Sequence, residues 1–200
     1  MKRTINVIGI SLALALSLVA GVLSSKPMKA LAEDELKEAK SCTFVIPSEF
    51  VPCAEKGLFI NKNNPMESSS IFFDYFDNGK DVVLTNRERQ QEEESGELEI
   101  IDDSLNMTKE IYQETISNAY NTQFGEDVGF TVTSYENITI DGYPGFKIEA
   151  NYQASGQERV YQTVYILLSK YRMFTVTYQR AEDDDCIEAF EKSAATIHVR

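Results

Sequence analysis

Two hundred residues, 42% of them hydrophobic, suffice for one domain with a core of its own and leave too little chain for two. Acids outnumber bases 32 to 19, for a net charge of −13, which argues against binding to nucleic acid or anionic lipid, since both are held by lysine and arginine. The same charge favours solubility and a weak attraction for cations or basic partners.

The chain opens as an export signal would. Met1-Lys2-Arg3 is a short basic stretch, residues 5–23 are uncharged and apolar, and Ser24-Ser25-Lys26-Pro27 leads to the small-x-small triplet Ala30-Leu31-Ala32. That order predicts a signal peptide over 1–32, cleaved after Ala32, and a secreted or extracytoplasmic mature protein. The apolar stretch also has the length of a minimal spanning helix, so an uncleaved anchor is the rival reading, and the Ala-x-Ala triplet favours cleavage. No cysteine precedes residue 42 to carry a lipid, and no later apolar run approaches spanning length, so the mature chain is expected not to span a membrane. Cleavage removes Lys2, Arg3, Lys26 and Lys29 and no acid, which leaves the mature chain more acidic still.

Residues 33–41 read as a charged leader, and a single domain is expected over 42–200. Short strands are expected at 42–46, 57–62 and 70–76, where β-branched and aromatic residues run between Pro, Gly and Ser breaks. Residues 79–103, with Glu92-Glu93-Glu94 and few apolar side chains, read as an exposed mobile arm. The clearest helix spans 105–124: Ile111, Tyr112, Thr115, Ile116, Ala119, Tyr120 and Phe124 form one stripe, with Asp103 or Ser104 as cap and Gly125 as stop. Four strands follow. The second, over 143–153, sets Phe146, Ile148, Ala150 and Tyr152 against Lys147, Glu149, Asn151 and Gln153. Breaks at Asp141-Gly142, Ser155-Gly156 and Lys170-Tyr171 are hairpin-short, so the four form an antiparallel meander. A second helix is expected over 183–194, its start marked by Asp183-Asp184-Asp185 and its inner face by Ile187, Phe190 and Ala194, before a last strand over 196–199.

Three cysteines, Cys42, Cys53 and Cys186, stand in an exported setting. If the chain reverses at Pro47-Ser48, Cys42 faces Cys53 at the ~4.5–5.5 Å Cβ separation of cross-strand partners. A Cys42–Cys53 disulfide with Cys186 reduced is therefore expected, ahead of three reduced thiols or a bridge through Cys186. The aspartates beside Cys186 disfavour its thiolate and argue against a nucleophile.

The order of elements carries a resemblance. Phe44-Val45-Ile46-Pro47 followed by Phe50, a mid-chain helix, the strand opening Asp141-Gly142-Tyr143-Pro144-Gly145-Phe146, and a terminal acidic helix with Thr196-Ile197-His198-Val199 resemble the PsbP-like superfamily, whose members include exported bacterial proteins of the DcrB and PsbP type. The resemblance covers residues 42–200. It implies an α+β fold, an antiparallel β-sheet flanked by helices on both faces, and an accessory or docking role rather than catalysis. Two features depart from it: the chain has no Trp, leaving Phe50 where a tryptophan often stands, and the Glu-rich arm is long.

No motif for catalysis, a cofactor or a metal emerges. His198 is the one imidazole, no nucleophile-elbow sequence accompanies it, and it reads as structural or surface. Asp183-Asp184-Asp185 has carboxylates suited to Ca²⁺ but lacks the spaced ligands and glycine of a calcium loop. The cysteine and histidine spacings fit no zinc pattern. Tyr161, Thr163 and Tyr165 alternate with Val160 and Val164, and Thr175 and Thr177 are assigned to the polar side of the next strand, giving one Tyr/Thr face. Either a helix covers this face, as a sandwiched sheet favours, or it is a partner surface, since aromatics bring contact area at small entropic cost. The leading functional reading is an exported, non-enzymatic binding or accessory protein for a protein or cell-envelope partner, with no cofactor. A carboxylate-dependent hydrolase or transferase and a weak divalent-cation (calcium) binder are the alternatives. Amino-terminal sequencing of the exported protein is expected to begin at Glu33; an intact Met1 or Lys2 on membrane-bound material would establish the anchor instead.

Overall fold

Period-two alternation in the second half of the chain builds four of the sheet's strands, and the described helices pack on it. The computed structural model describes residues 36–63, 69–77, 107–170 and 172–200. The signal peptide at 1–32, the arm at 79–103, the first residues of the leader and the caps proposed at Asp103 and Ser104 lie outside the described residues.

In chain order the elements are β1 (Cys42–Thr43), β2 (Phe50–Pro52), β3 (Leu58–Asn61), β4 (Ser70–Asp77), α1 (Lys109–Phe124), β5 (Thr131–Ile140), β6 (Tyr143–Tyr152), β7 (Val160–Leu168), β8 (Arg172–Ala181), α2 (Ile187–Ala194) and β9 (His198–Val199). Seven strands form one sheet in the order β2-β3-β4-β8-β7-β6-β5, with every pair antiparallel. The expected meander is thus β5 to β8, and β4 returns to lie along the far side of β8. Asp141 and Gly142, at φ 52° and 84°, make the β5–β6 turn, a left-handed pair that Asp-Gly accommodates. Gly57 is required by space: a Cβ there would lie 2.1 Å from the Phe73 carbonyl oxygen.

Register assigns every side chain to a face. Val164 stands opposite Ile148 and Thr177, whereas Tyr165 stands opposite Lys147 and Val176. On the first face Phe146, Ile148, Val164 and Ile166 pack with Tyr112, Ile116 and Tyr120 of α1. On the second, Val176 and Tyr178 pack with Phe190 of α2 and with Ile197 and Val199 at the chain's end. The helix α1 starts later than the expected residue 105: Thr108 caps it, its side chain accepting from the Ile111 N–H at 3.3 Å. Gly125, at φ 71°, ends it as expected, its N–H bonded to the Asn121 carbonyl.

Several expectations are corrected. The leader is part of the fold from Leu36 onward: Leu36 and Ala39 are buried, and the strap is bonded by Lys170 N–H to the Lys37 carbonyl, Tyr143 OH to the Glu38 carbonyl, and Arg172 Nη1 to the Ala39 carbonyl. The hairpin between Cys42 and Cys53 does not form. Cys42 pairs with Val199 in β1–β9, while residues 50–52 pair with β3 and Cys53 follows that strand, so the two cysteines are not cross-strand partners and all three are free thiols. Burial pushes the Cys42 thiol up to about 12. The helix α2 begins at Ile187, after the three aspartates, because Asp184 is used in the turn: its carboxylate accepts from the Ala181 N–H at 2.7 Å and from the Ser69 hydroxyl.

The Asp141 carboxylate ties the β5–β6 turn to β9, accepting from the Val199 N–H at 2.9 Å and lying 3.1 Å from His198 Nδ1. The Val199 N–H, then His198, holds its pKa below the ordinary carboxylate value. A depressed folded pKa means a contribution that is present above the unfolded value of about 3.9 and lost as pH falls through the folded one. Asp141→Asn should therefore lower the melting temperature at pH 7, and the gap to the parent should close as pH drops below about 4. A gap that persists undiminished at pH 2 would show that the carboxylate charge is not what holds β9.

Candidate functional site

A helix is about 10 Å across and strands lie about 4.8 Å apart, so one short helix covers about two strands. The eight-residue α2 lies over β8 through Tyr178 and Phe190, whose rings are 5.2 Å apart. The same face of β5, β6 and β7 is left with a groove of about 260 Å³ running beside the helix. Its floor includes Lys147 and Glu149 of β6 and Tyr161, Thr163 and Tyr165 of β7; Arg180 of β8 lies alongside, and Ile187 and Glu191 of α2 form part of the wall.

The floor is half-buried and internally paired. Lys147 Nζ is 3.0 Å from Glu149 Oε1, and that contact first of all raises the Lys147 pKa. The Arg180 guanidinium sits 4.8 Å from the centre of the Tyr161 ring and donates through Nη1 to the Ala181 and Glu182 carbonyls at 2.9 and 3.3 Å. Tyr165 meets Tyr178 edge to face at 6.1 Å, and burial raises its pKa. Thr133, at the β-bulge where the register shifts between Val132 and Ser134, donates its hydroxyl to the Glu149 carbonyl at 3.1 Å.

The five residues expected to share one Tyr/Thr face are divided by the register. Tyr161, Thr163 and Tyr165 lie on the groove, while Thr175 and Thr177, opposite Ile166 and Val164, are buried on the α1 face. The cause is that β8 is buried on both sides: Phe174, Val176 and Tyr178 fill the α2 face and the threonines the other. Ile187, assigned to the inner face of the helix, is 48% exposed at the groove, and Ser193 is buried in its stead. Sequence reasoning did not single out Lys147, Glu149, Arg180 or Glu191. The alternation of β6 pointed to the first two, because it set them opposite the apolar face.

Among the described residues no group of three His, Cys, Asp or Glu side chains is placed to hold a metal ion, and no helix is long and apolar enough to cross a membrane. His198 is exposed on β9 with Asp141 as its partner, and it does not line the groove.

No family profile and no curated protein matches the chain. Among solved structures, that of cyanobacterial PsbP (CyanoP) from Synechocystis sp. PCC 6803 aligns with a TM-score of 0.51 at 14% identity, covering 90% of this chain and 98% of that one. The protein PA94 of unknown function from Pseudomonas aeruginosa aligns with a TM-score of 0.40 at 10% identity, over 84% of this chain and 88% of that one. The chain has a PsbP-like fold.

The wall of the groove depends on a hydroxyl chain. Ser193 has one hydroxyl hydrogen, which it donates to the Val45 carbonyl at 2.6 Å, so Tyr178 OH donates to Ser193 Oγ at 3.0 Å. Ser193→Ala leaves the buried tyrosine hydroxyl without that acceptor and should destabilise the protein by about 1–3 kcal/mol in denaturant titrations. Adding Tyr178→Phe should recover part of the loss; an additive double variant would show the two hydroxyls to be uncoupled.

Proposed function

We propose that the chain is an exported, non-enzymatic binding or accessory protein that docks a protein or cell-envelope partner through the groove beside α2. In this reading the sheet carries a helix against each face, α1 packing on one side and α2 leaving the strip over β5 to β7 for a partner. One observation carries it: Tyr161, Thr163 and Tyr165, two residues apart on β7, line the groove half-buried, next to a helix too short to cover them. Aromatic and hydroxyl side chains in that state suit recognition, because they lose little freedom on binding and retain both an apolar body and a polar tip. The groove's own lysine and arginine are already engaged with Glu149 and Tyr161, which gives it a defined shape before anything binds.

A photo-crosslinking residue placed at Thr163 in the native host should give a discrete higher-mass adduct in the envelope or secreted fraction. The same residue at Glu158, exposed between β6 and β7 and outside the groove, should not. Absence of an adduct at Thr163, or an identical adduct at both positions, would rule out docking through the groove.

A further inference from the structure

The groove is lined by two cations, Lys147 and Arg180, and two carboxylates, Glu149 and Glu191, but both cations are already engaged. Tyr165 in its floor is acted on by one ammonium, that of Lys147, and by three carboxylates, those of Glu149, Glu191 and Glu136. Lys147 is spent on Glu149 at 3.0 Å, and Arg180 is spent on the Tyr161 ring and two backbone carbonyls. Glu191, exposed on α2, has no salt-bridge partner among the described residues, and it lines the groove together with Tyr165 and Tyr178.

Given docking through this groove, we infer that it receives a cationic side chain, an arginine or lysine projecting from a basic segment of the partner protein, with Glu149 and Glu191 as its carboxylate partners and Tyr165 as its aromatic surface. Size supports one side chain rather than a cofactor: about 260 Å³ falls below the ~300–1,000 Å³ of sites that enclose drug-sized molecules. The chemistry matches part by part. A guanidinium or ammonium is attracted to the face of a tyrosine ring, its N–H groups are donors only, and the carboxylates and the Thr163 and Tyr165 hydroxyls that line the groove are able to accept. Arginine gains most, because its planar fork can meet a carboxylate with two parallel bonds while stacking on the ring. At longer range the net charge of −13 steers basic segments toward the protein.

The probe is a capped Gly-Ser-Arg-Ser-Gly peptide, titrated into the ¹⁵N-labelled protein at millimolar concentration, beside the same peptide carrying neutral citrulline. The arginine peptide should give saturable amide shifts concentrated at Thr163, Tyr165 and Glu191, with citrulline binding at least tenfold more weakly. Glu191→Gln, an exposed change on α2, should weaken arginine binding at least threefold, and raising NaCl from 50 to 500 mM should weaken it further. Equal binding of citrulline, insensitivity to Glu191→Gln, or shifts spread over the other acidic segments would overturn the inference. The two readings fail separately. An adduct at Thr163 that the arginine peptide does not compete away leaves docking standing without the cation. Arginine binding with no adduct leaves the cation site standing without a partner protein.

Discussion

The pairing of β7 with β8 sets Tyr165 opposite Val176 and Val164 opposite Thr177, and a side-chain period of two leaves no freedom after that. With Val164 on the α1 face, Ile148 and Ile166 join it there, and the stripe of Tyr112, Ile116 and Tyr120 has an apolar surface to bury against. With Tyr165 on the other face, Lys147 and Glu149 come beside it through the pairing of β6 and β7. A slip of one residue would carry the tyrosines under α1 and expose isoleucine and valine at the groove. The cost of that exchange, roughly 1.5–3 kcal/mol for each large apolar side chain brought into water, holds the register and with it the composition of the site.

The groove exists because the covering elements on its face end where they do. The strap from Leu36, the β1–β9 pair and α2 together cover Leu167, Phe174 and Val176, and Asp141 fastens the end of that layer to the β5–β6 turn. None of these elements extends over Glu149, Thr163 and Tyr161, whose side chains are polar or amphipathic and tolerate water. Coverage follows composition for the strands: Leu167, Phe174 and Val176 are buried under these elements, while Glu149, Thr163 and Tyr161 are half-buried.

Most of the architecture could be read from the sequence because β6 and β7 alternate cleanly, so their faces and short turns follow from the residues alone. The reading erred wherever a strand is buried on both sides or a short residue run is reused in a turn. Thr175 and Thr177 read as sharing the face of Tyr161 and Tyr165 because threonine is polar, yet they sit opposite Ile166 and Val164 in the first core. Asp183 to Asp185 looked like a helix start, but Asp184 bonds the Ala181 N–H and Ser69, a partner 115 residues away that no local pattern reveals. The Cys42–Cys53 pairing was a local hairpin argument, and it lost to a strand pair between the two ends of the domain. Half of the site was visible on β7; Arg180 and Glu191 join it only through register and the placement of α2.

An acidic protein that keeps a lysine and an arginine in its groove requires an explanation, and stability is a poor one. The Lys147 and Glu149 side chains are 31% and 44% exposed, and pairs in that state contribute little to folding. Their effect is geometric. Lys147 fixes the carboxylate of Glu149 at 3.0 Å and neutralises it in part, while Arg180 lies on Tyr161 and keeps that ring against the sheet. Both cations are therefore engaged within the groove, and Glu191 on α2 is its carboxylate without an ion-pair partner among the described residues. For the proposed docking of a cationic side chain, one carboxylate paired with Lys147 and one without an ion-pair partner among the described residues select by position, which a uniformly acidic surface with the same net charge does not do.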